Sequence, residues 1–241
     1  MLQALIFDVD GTLADTELFH LTAFNQAFAE LGLGWNWSVE EYTELLNVSG
    51  GKERIAHYWK QISPNMTVID GMAMEQTIQR IHETKSAYYE QAVREGQLQL
   101  RPGVLSLFEQ AASAGIQMAI ATTTSPVNIT TLLRQALGAE WSHRFSVIED
   151  ASTAPRKKPH PQVYLQTLQR LRLPAEACVA FEDSYNGLQA AFAAGLATVV
   201  TPTGFTAHHD FAAAAEVRDS LEGLTLDDIR RFKKQYLTKA A

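Results

Sequence analysis

The sequence predicts an α/β fold, in which helices pack on a parallel sheet and a helical block is inserted near the start of the chain. The apolar run at Ala4–Phe7 is typical of a buried strand. Only helical patterns follow until about residue 96, and from Arg101 onward helical and strand patterns alternate. We therefore expect an α/β core formed by residues 1–14 and 97–241, with a helical domain at residues 15–96.

Apolar residues of the inserted block recur at helical spacing in four segments. These segments are residues 16–31, 39–46, 52–61 and 70–94. Since no strand pattern interrupts them, we expect the block to be entirely helical. Trp35 and Trp37 are expected to pack inside it.

The second part of the chain predicts helices and strands in regular alternation. The helices are expected at residues 104–113, 126–137, 161–171, 185–194 and 225–237, and the strands at 117–121, 145–148, 178–181 and 197–200. Parallel strands end at the same edge of their sheet, where ligands bind. Polar residues that follow the strands are therefore candidates for a functional site.

Composition and charge exclude several classes of function. The chain carries 20 basic and 27 acidic residues, which give a net charge of -7, and its longest basic run is Arg156-Lys157-Lys158. This charge distribution excludes a nucleic-acid partner. No apolar stretch approaches the ~20 residues that cross a membrane, and no signal peptide is recognisable. The single cysteine, Cys178, cannot form an intramolecular disulfide. We expect a cytoplasmic monomer.

Two acids separated by one residue follow the first predicted strand. In extended geometry Asp8 and Asp10 point the same way and Val9 points the opposite way, while Gly11 permits a sharp turn. A strand followed by an ordinary Asp-Gly turn is an equal alternative when this motif is considered alone. A functional role is favoured because three further motifs, at residues 120–122, 158–159 and 181–184, lie at or just beyond apolar runs later in the chain.

A second acidic pair, Glu182 and Asp183, follows the strand predicted at residues 178–181. If the sheet forms as predicted, these acids meet Asp8 and Asp10 at one edge, where their charges would repel one another without a cation. Oxygen ligands favour Mg²⁺. As an alternative, Glu182 and Asp183 could stabilise the N-terminus of the next helix, and both roles are compatible.

Four motifs, in their order along the chain, resemble those of the haloacid dehalogenase-like (HAD) hydrolase superfamily. They are Asp8-Val9-Asp10-Gly11-Thr12, Ile120-Ala121-Thr122, Lys158-Pro159 and Phe181-Glu182-Asp183-Ser184. The resemblance implies a Rossmann-like core with an inserted cap domain, and a phosphatase that forms an aspartyl phosphate.

The same resemblance implies a role for each motif residue. Asp8 would be the nucleophile, Asp10 the general acid and base, Thr122 a phosphate ligand and Lys158 a fixed positive charge. Mg²⁺ would bind at Asp8, Asp10, Glu182 and Asp183. Two alternatives stay open: Thr122 could be an ordinary helix cap, and Lys157 could replace Lys158.

Further residues resemble the CbbY-type sugar-phosphate phosphatases and the related β-phosphoglucomutases. They are Asp15-Thr16-Glu17 with His20, Trp35 and Trp37, Gly50-Gly51-Lys52-Glu53-Arg54-Ile55, His82 with Lys85, Thr122-Thr123-Thr124-Ser125, and Gly204-Phe205. This resemblance implies that the substrate is a small phosphorylated sugar with a second phosphate, xylulose 1,5-bisphosphate first among the candidates. The substrate-binding residues that it implies are Thr16, Glu17, His20, Gly50, Gly51, Lys52, Arg54, His82, Lys85, Thr123, Thr124 and Asn128. For each cap residue, a solvated or structural role is the alternative.

Two other functions fit part of the pattern. A β-phosphoglucomutase-type phosphomutase would use the same four motifs but return the phosphate to the sugar, and the basic residues of the cap favour the phosphatase. A phospho-acceptor signalling module also combines acids, a threonine and a lysine on a parallel sheet. Its acceptor aspartate usually ends a later strand, however, and its fold lacks an inserted helical block.

Overall fold

The computed structural model describes residues 1–69, 71–96 and 98–240. Within these ranges the strands are β1 (Ala4–Phe7), β2 (Val68–Ile69), β3 (Met72–Ala73), β4 (Gln117–Ala121), β5 (Val147–Glu149), β6 (Cys178–Glu182), β7 (Ala197–Val200) and β8 (Glu216–Val217). The α-helices are α1 (Glu17–Glu30), α2 (Val39–Leu45), α3 (Gly51–Ile62), α4 (Met74–Arg94), α5 (Val104–Ser113), α6 (Pro126–Leu137), α7 (Gln162–Leu171), α8 (Tyr185–Ala193) and α9 (Leu226–Ala240). Over the described part of the chain, none of the helices has both the length and the apolar composition needed to cross a bilayer.

The chain divides into two compact units. The first comprises Met1–Asp15 and Leu98–Ala241, and the second comprises Thr16–Gln97. The sheet of the first unit has the strand order β5-β4-β1-β6-β7-β8, and every neighbouring pair is parallel. This arrangement confirms the α/β fold predicted from the sequence.

Strand β1 lies at the centre of this sheet. Leu5 pairs with Met118 of β4 on one side and with Val179 of β6 on the other, and every residue of β1 is buried. The chain passes from β1 to β4 and β5, then crosses back to β6. Ligands bind at such a reversal of strand order, outside the carboxyl ends of the strands. Residues that follow Phe7 therefore lie at the expected ligand edge.

Side chains of β1 alternate between the two faces of the sheet. Ala4 and Ile6 join a buried cluster with residues of α7 and α8. Phe7 faces the opposite way, and its ring lies 5.1 Å from that of Phe108 in α5. Because the alternation has a period of two residues, Asp8 continues the series of Ala4 and Ile6 and lies on the side of α7.

The second unit packs its helices around an aromatic cluster. The ring of Trp35 lies 5.4 Å from that of Phe28, and the ring of Trp37 lies 4.8 Å from those of Phe24 and Phe28. The Asn25 side chain donates to the Trp37 carbonyl at 2.9 Å and accepts from its N–H at 2.8 Å. Both tryptophans therefore pack inside this unit, which confirms the prediction for them.

The prediction that no strand interrupts the inserted block is wrong in one respect. Strands β2 and β3 form a short antiparallel hairpin, in which Val68 pairs with Ala73. Strands of two residues are too short to produce a visible alternation of apolar and polar side chains, so the pattern did not reveal them. The helix start predicted at Asp70 lies outside the described residues, and helix α4 begins at Met74.

Two elements of the first unit also differ from expectation. Strand β5 begins at Val147 rather than at residue 145, because a 3₁₀ turn at Trp141–Arg144 precedes it. Strand β8 was not predicted, and it adds only Glu216–Val217 to the edge of the sheet. Both differences lie at the two outer edges of the sheet, away from β1.

Candidate active site

Asp8 is the first residue after β1, and only 6% of it is exposed. Its backbone N–H donates to the Phe181 carbonyl at 3.0 Å, so the ladder between β1 and β6 extends to this residue. The Thr12 hydroxyl lies 3.4 Å from Asp8 Oδ2. Strand pairing therefore fixes the backbone that carries this carboxylate.

Lys158 is the cationic partner of Asp8. Its Nζ donates to Asp8 Oδ1 at 2.7 Å and to Glu182 Oε1 at 2.6 Å, and its side chain is buried. The residue lies in the loop before α7, where its peptide bond to Pro159 is cis. Burial lowers the pKa of Lys158, but the charges of Asp8 and Glu182 outweigh this effect and raise it above its ordinary value. Lys158 is therefore a permanent positive charge at this position.

The carboxylates of Asp8, Glu182 and Asp183 converge at the carboxyl edge of the sheet. Each offers an oxygen, and these oxygens lie within 4.8 Å of one another. Glu182 ends β6 and Asp183 follows it, so the pairing of β1 with β6 brings both beside Asp8. Asp10 is half-buried and is not part of this group of three. Its assignment as a fourth metal ligand stays a prediction.

The three acids form a set of ligands that fits Mg²⁺. Their donors are all carboxylate oxygens, which hard divalent cations prefer. Glu182 Oε2 is buried and makes no hydrogen bond to any of the described residues. Two glycines leave room for the carboxylates, because a Cβ at Gly11 would lie 2.2 Å from Asp183 Oδ2 and a Cβ at Gly187 would lie 1.9 Å from Glu182 Oε2. The backbone is therefore shaped around these acids.

Burial changes the acid–base properties of this cluster. It raises the pKa of Glu182 to about 7, while the Lys158 charge acts in the opposite direction and the Asp8 charge adds to the rise. Burial also raises the pKa of Asp8; the charge and hydrogen bond of Lys158 act against this rise, and the charge of Asp10 adds to it. A divalent cation bound at these carboxylates would add positive charge that favours their ionised forms.

The segment after β4 presents hydroxyl and amide groups. Thr122 is buried, and its backbone N–H donates to the Glu149 carbonyl at 3.0 Å. Its hydroxyl accepts from the Thr124 N–H at 3.3 Å, and a hydrogen bond with the Thr122 side chain helps to lower the pKa of Asp8. Thr123 and Thr124 are half-buried. Thr122 therefore lies beside the Asp8 carboxylate.

Asn128 lies in the first turn of α6, close to the same threonines. Its Nδ2 donates to Thr124 Oγ1 at 3.0 Å, and its backbone N–H donates to Ser125 Oγ at 3.3 Å. Its Oδ1 is buried and accepts no hydrogen bond from the described residues. The start of α6 thus gathers several polar groups that could bind a phosphate oxygen or a sugar hydroxyl.

Tyr164 is a residue of this site that sequence reasoning missed. Its hydroxyl donates to Glu182 Oε1, and Lys158 Nζ lies 5.2 Å from the centre of its ring. Burial and the charge of Glu182 raise the pKa of Tyr164 well above its ordinary value, so the hydroxyl keeps its proton. Its spacing in the pattern of residues 161–171 is typical of a core residue. The only signal in the sequence that could have indicated a role in the site is that a tyrosine hydroxyl occurs a short distance after Lys158.

Thr16 and Glu17, in the second unit, lie at the start of α1. Thr16 is buried, and its carbonyl accepts from the His20 N–H at 3.0 Å. Glu17 Oε2 accepts from the Tyr42 hydroxyl at 2.7 Å. Thr16 and Glu17 each accept a hydrogen bond from within the protein. That they bind substrate stays a prediction.

Arg54 is buried, and its guanidinium is engaged by the protein. It donates to the Tyr42 hydroxyl at 3.0 Å, to the Leu45 carbonyl at 3.2 Å and to the Val48 carbonyl at 3.4 Å. These bonds stabilise the end of α2 and the segment that follows it. The binding of a substrate phosphate by Arg54 stays a prediction.

Four other predicted residues lie around the start of α3. Gly50 precedes the helix with a φ of 97°, and Gly51 is its first residue. The ring of the half-buried His82 packs against Gly51. Lys52 is exposed. An exposed lysine next to free amide groups at a helix start is able to receive an anion.

His20 and Lys85 form a buried polar pair in the same unit. Lys85 Nζ lies 2.7 Å from His20 Nδ1 and within 5.1 Å of the centres of the Phe24 and Tyr89 rings. The His20 ring stacks on Tyr89 with the ring centres 4.2 Å apart. The two side-chain nitrogens are thus within hydrogen-bonding distance in the interior of this unit.

Comparison with known proteins gives the family. Residues 2–195 match the model of the haloacid dehalogenase-like hydrolases. The plasmid-encoded protein CbbY of Cupriavidus necator is 54% identical over 213 residues, which are 88% of this chain and 83% of that protein. Protein CbbY of Rhodobacter capsulatus is 44% identical over 213 residues, which are 88% of this chain and 91% of that protein.

Solved structures agree with this result. CbbY from Rhodobacter sphaeroides, in complex with phosphate, superposes with a TM-score of 0.87 at 42% identity, over 95% of this chain and all of that one. A β-phosphoglucomutase from Clostridium difficile has a TM-score of 0.80 at 23% identity, over 99% of this chain and all of that one, which shows a shared fold. The sequence relatives and the superposition agree with the four motifs, and we conclude that the chain belongs to the haloacid dehalogenase-like hydrolases and is a phosphatase of the CbbY group.

Proposed function

We propose that this phosphatase hydrolyses a phosphorylated sugar with Mg²⁺, through a phosphate ester on Asp8. The observation that carries the proposal is the contact of Lys158 with Asp8 and Glu182, at 2.7 and 2.6 Å, beside the acidic group completed by Asp183. A buried carboxylate beside one fixed cation and two further acids that could bind a metal ion suits phosphoryl transfer. This reaction requires positive charge that stabilises the negative charge of the phosphoryl group.

In the first step, an oxygen of Asp8 attacks phosphorus and the bond from phosphorus to the sugar oxygen breaks. Asp10 transfers its proton to the departing sugar oxygen, so the sugar leaves as an alcohol. Lys158 holds Oδ1 of Asp8 throughout, which keeps the carboxylate oriented. The product of this step is the aspartyl phosphate.

In the second step, water attacks the phosphorus of this ester, and the bond from phosphorus to Asp8 breaks. Asp10, which lost its proton in the first step, accepts one from the attacking water. Inorganic phosphate leaves and Asp8 returns to its carboxylate form. One water is consumed for each phosphate released, and no other reactant is needed.

Asp8, Glu182, Asp183 and Asp10 are the residues that would hold the metal ion. When bound, Mg²⁺ supplies positive charge that screens the repulsion between a carboxylate and an anionic phosphoryl group. The hydroxyl of Thr122 and the polar groups at the start of α6 would bind the oxygens of the transferred phosphate. Thr123, Thr124 and Asn128 carry these polar groups at the start of α6.

For the substrate we propose xylulose 1,5-bisphosphate. A mutant of the CbbY protein from Rhodobacter sphaeroides was crystallised with this compound, and its structure has a TM-score of 0.86 at 42% identity, over 94% of this chain and 98% of that one. The second unit carries cationic and polar residues suited to a second phosphate. They are Thr16, His20, Gly50, Gly51, Lys52, Arg54, His82 and Lys85, whereas the Glu17 carboxylate suits a hydroxyl of the sugar.

The test is phosphate release with Mg²⁺ from xylulose 1,5-bisphosphate, ribulose 1,5-bisphosphate, fructose 1,6-bisphosphate and β-glucose 1-phosphate. A clear preference for the xylulose compound, lost on adding EDTA, is the expected result. Conversion of β-glucose 1-phosphate to glucose 6-phosphate with little free phosphate would make the protein a mutase and overturn the proposal. The Asp8→Asn protein, purified in parallel, controls for contaminating phosphatases.

A further inference from the structure

Arg101 connects three loops at the carboxyl edge of the sheet. Its Nη1 donates to the Gly11 carbonyl and, at 2.6 Å, to the Thr201 carbonyl. Its Nη2 donates to the Pro202 carbonyl at 2.9 Å and to the Asp219 carbonyl at 3.2 Å. The acceptors follow β1, β7 and β8, so one planar side chain joins segments that are far apart in the sequence.

The first of these loops carries the acid Asp10 and approaches Asp183. Gly11 follows Asp10, and its Cα faces the Asp183 carboxylate so closely that a Cβ there would lie 2.2 Å from Oδ2. The Gly11 N–H donates to the Ala14 carbonyl at 2.8 Å, which closes a tight turn. A displacement of Gly11 would therefore move Asp10 and change the space available to Asp183.

The second loop is tied to the other side of the same acids. The Thr201 N–H donates to the Glu182 carbonyl at 2.8 Å, so Thr201 is bound directly to the backbone that precedes Asp183. By bonding both Gly11 and Thr201, the Arg101 guanidinium fixes the distance between the loop of Asp10 and the backbone of Glu182 and Asp183. A lysine has one nitrogen and could not reach all of these carbonyls.

The Arg101 backbone contributes to the same connection. Its N–H donates to the Leu13 carbonyl at 2.8 Å, and the preceding residue, Leu100, forms an antiparallel bridge with Ala14. Arg101 therefore binds the turn after β1 with its main chain as well as with its side chain.

We propose that Arg101 is a positioning residue that holds the Asp10–Gly11 turn against the acids Glu182 and Asp183, and so fixes the geometry of the metal-binding carboxylates. The inference rests on the metal site of the proposed function. Partners in the layer around metal ligands typically matter by about 10–100-fold in metal affinity or activity.

The sign of the effect separates positioning from simple electrostatics. Arg101 is cationic, and Asp183 is the first of the negative charges that act on it. If only its charge mattered, removing it would strengthen the binding of a divalent cation, because one repulsive charge would be lost. If positioning matters, removing the guanidinium weakens metal binding despite the lost repulsion.

The experiment compares Arg101→Lys and Arg101→Met with the wild-type protein. Arg101→Lys keeps the charge and loses the planar fork, whereas Arg101→Met loses both. Arg218→Met is the matched control, since the side chain of this half-buried arginine donates, among the described residues, only to the Ser220 carbonyl, at 3.4 Å. The first readout is Mn²⁺ binding in the absence of substrate, measured from the electron paramagnetic resonance signal of the free ion. The second is steady-state kinetics, which gives kcat, KM and the Mg²⁺ concentration at half-maximal rate.

We expect both variants of Arg101 to bind Mn²⁺ about 10–100-fold more weakly and to need correspondingly more Mg²⁺, with a lower kcat and a KM for the sugar phosphate near that of the wild type. Arg218→Met should behave as the wild type. Unchanged or tighter Mn²⁺ binding in Arg101→Lys and Arg101→Met would overturn the inference, even if the thermal midpoint falls. Should Arg101→Met not fold, Arg101→Lys alone decides.

The wild type distinguishes failure of this inference from failure of the proposed function. If the wild-type protein neither binds Mn²⁺ nor requires Mg²⁺, the metal site itself is wrong. If the wild type does both and the Arg101 variants match it, only the role of Arg101 is wrong. The Asp183→Asn protein, which loses a carboxylate of the cluster, sets the level expected for a damaged metal site.

Discussion

The amino group of Lys158 lies 2.7 Å from Asp8 Oδ1 and 2.6 Å from Glu182 Oε1, so one buried cation joins carboxylates at the carboxyl ends of two neighbouring strands. Only 5% of Lys158 is exposed. The three charged groups attract one another strongly in the protein interior. Replacing any one of them is costly in folding free energy, because the remaining charges are buried away from water. This contact is the centre of the candidate site.

Replacement of Lys158 by Met should abolish most activity and destabilise the protein. The change leaves Asp8 and Glu182 buried without their cation, which typically costs roughly 3–5 kcal/mol in the free energy of unfolding. We expect kcat/KM to fall by about 100-fold or more. Steady-state kinetics and urea unfolding check both effects. Lys157→Met is the matched control, and an equal loss in that variant would contradict the assignment to Lys158.

Replacement of Gly187 by Ala should destabilise the protein although Gly187 lies in helix α8. Alanine normally stabilises a helix by about 1 kcal/mol relative to glycine. Here the added Cβ would lie 1.9 Å from Glu182 Oε2, so the carboxylate would have to move. We expect a lower thermal midpoint and a higher Mg²⁺ requirement.

Gly204→Ala is the control for this variant, since a Cβ at Gly204 meets no atom within 4 Å. Its thermal midpoint and Mg²⁺ requirement should equal those of the wild type. A Gly187→Ala protein that is more stable than the wild type and fully active would show that the Glu182 carboxylate does not need this space.

The exposed Lys52 should contribute to the binding of a second phosphate. Its replacement by Ala is expected to reduce kcat/KM for xylulose 1,5-bisphosphate by about 10-fold, because a hydrogen bond between charged groups is lost, and to leave the rate with p-nitrophenyl phosphate unchanged. Lys60→Ala, which removes another exposed lysine of α3, is the control. A loss of equal size with both substrates would contradict this role.

Cys178 should resist alkylation in the folded protein. Burial raises its pKa to about 11. At pH 8 an ordinary thiol with a pKa of about 8.5 is roughly one quarter thiolate, so we expect iodoacetamide to react at least about 100-fold more slowly with the native protein than in urea. Mass spectrometry of the alkylated protein measures both rates.

The sign of the pH dependence follows from the same shift. Because the pKa of the folded state lies above that of the unfolded state, the thiol favours folding below pH ~8.5, and this contribution is lost as the pH rises towards the folded-state pKa of about 11. Native alkylation as fast as in urea at pH 8 would show that the strand carrying Cys178 is open to solvent.

The central strand and the core motifs were predictable because they depend on local patterns. The apolar run Ala4–Phe7 followed by acids defines a buried strand and its ligand end, and the structure has both. The contact of Lys158 with Asp8 spans 150 residues of sequence, and only the resemblance to a family could place it in advance. The order of the family motifs thus predicted that Lys158 belongs to the site, although the sequence alone could not show that it contacts Asp8.

Arg101 and Tyr164 were missed for physical reasons. Tyr164 occupies a core position of the amphipathic helix α7, and its hydrogen bond to Glu182 becomes visible only once β6 is placed beside that helix. Arg101 stands in a turn, and all the carbonyls that its side chain bonds belong to distant loops. Local patterns do not report which carbonyls a side chain will meet after folding.

A phosphate on Asp8 would be the most direct evidence for the proposed mechanism. Wild-type protein is mixed with ³²P-labelled substrate and Mg²⁺, quenched with acid during the first turnover and digested. We predict an acid-stable, base-labile label on the peptide that contains Asp8, and no label in the Asp8→Asn variant. Turnover by the wild-type protein with no label on that peptide, or with a label that persists in the Asp8→Asn variant, would contradict nucleophilic attack by Asp8.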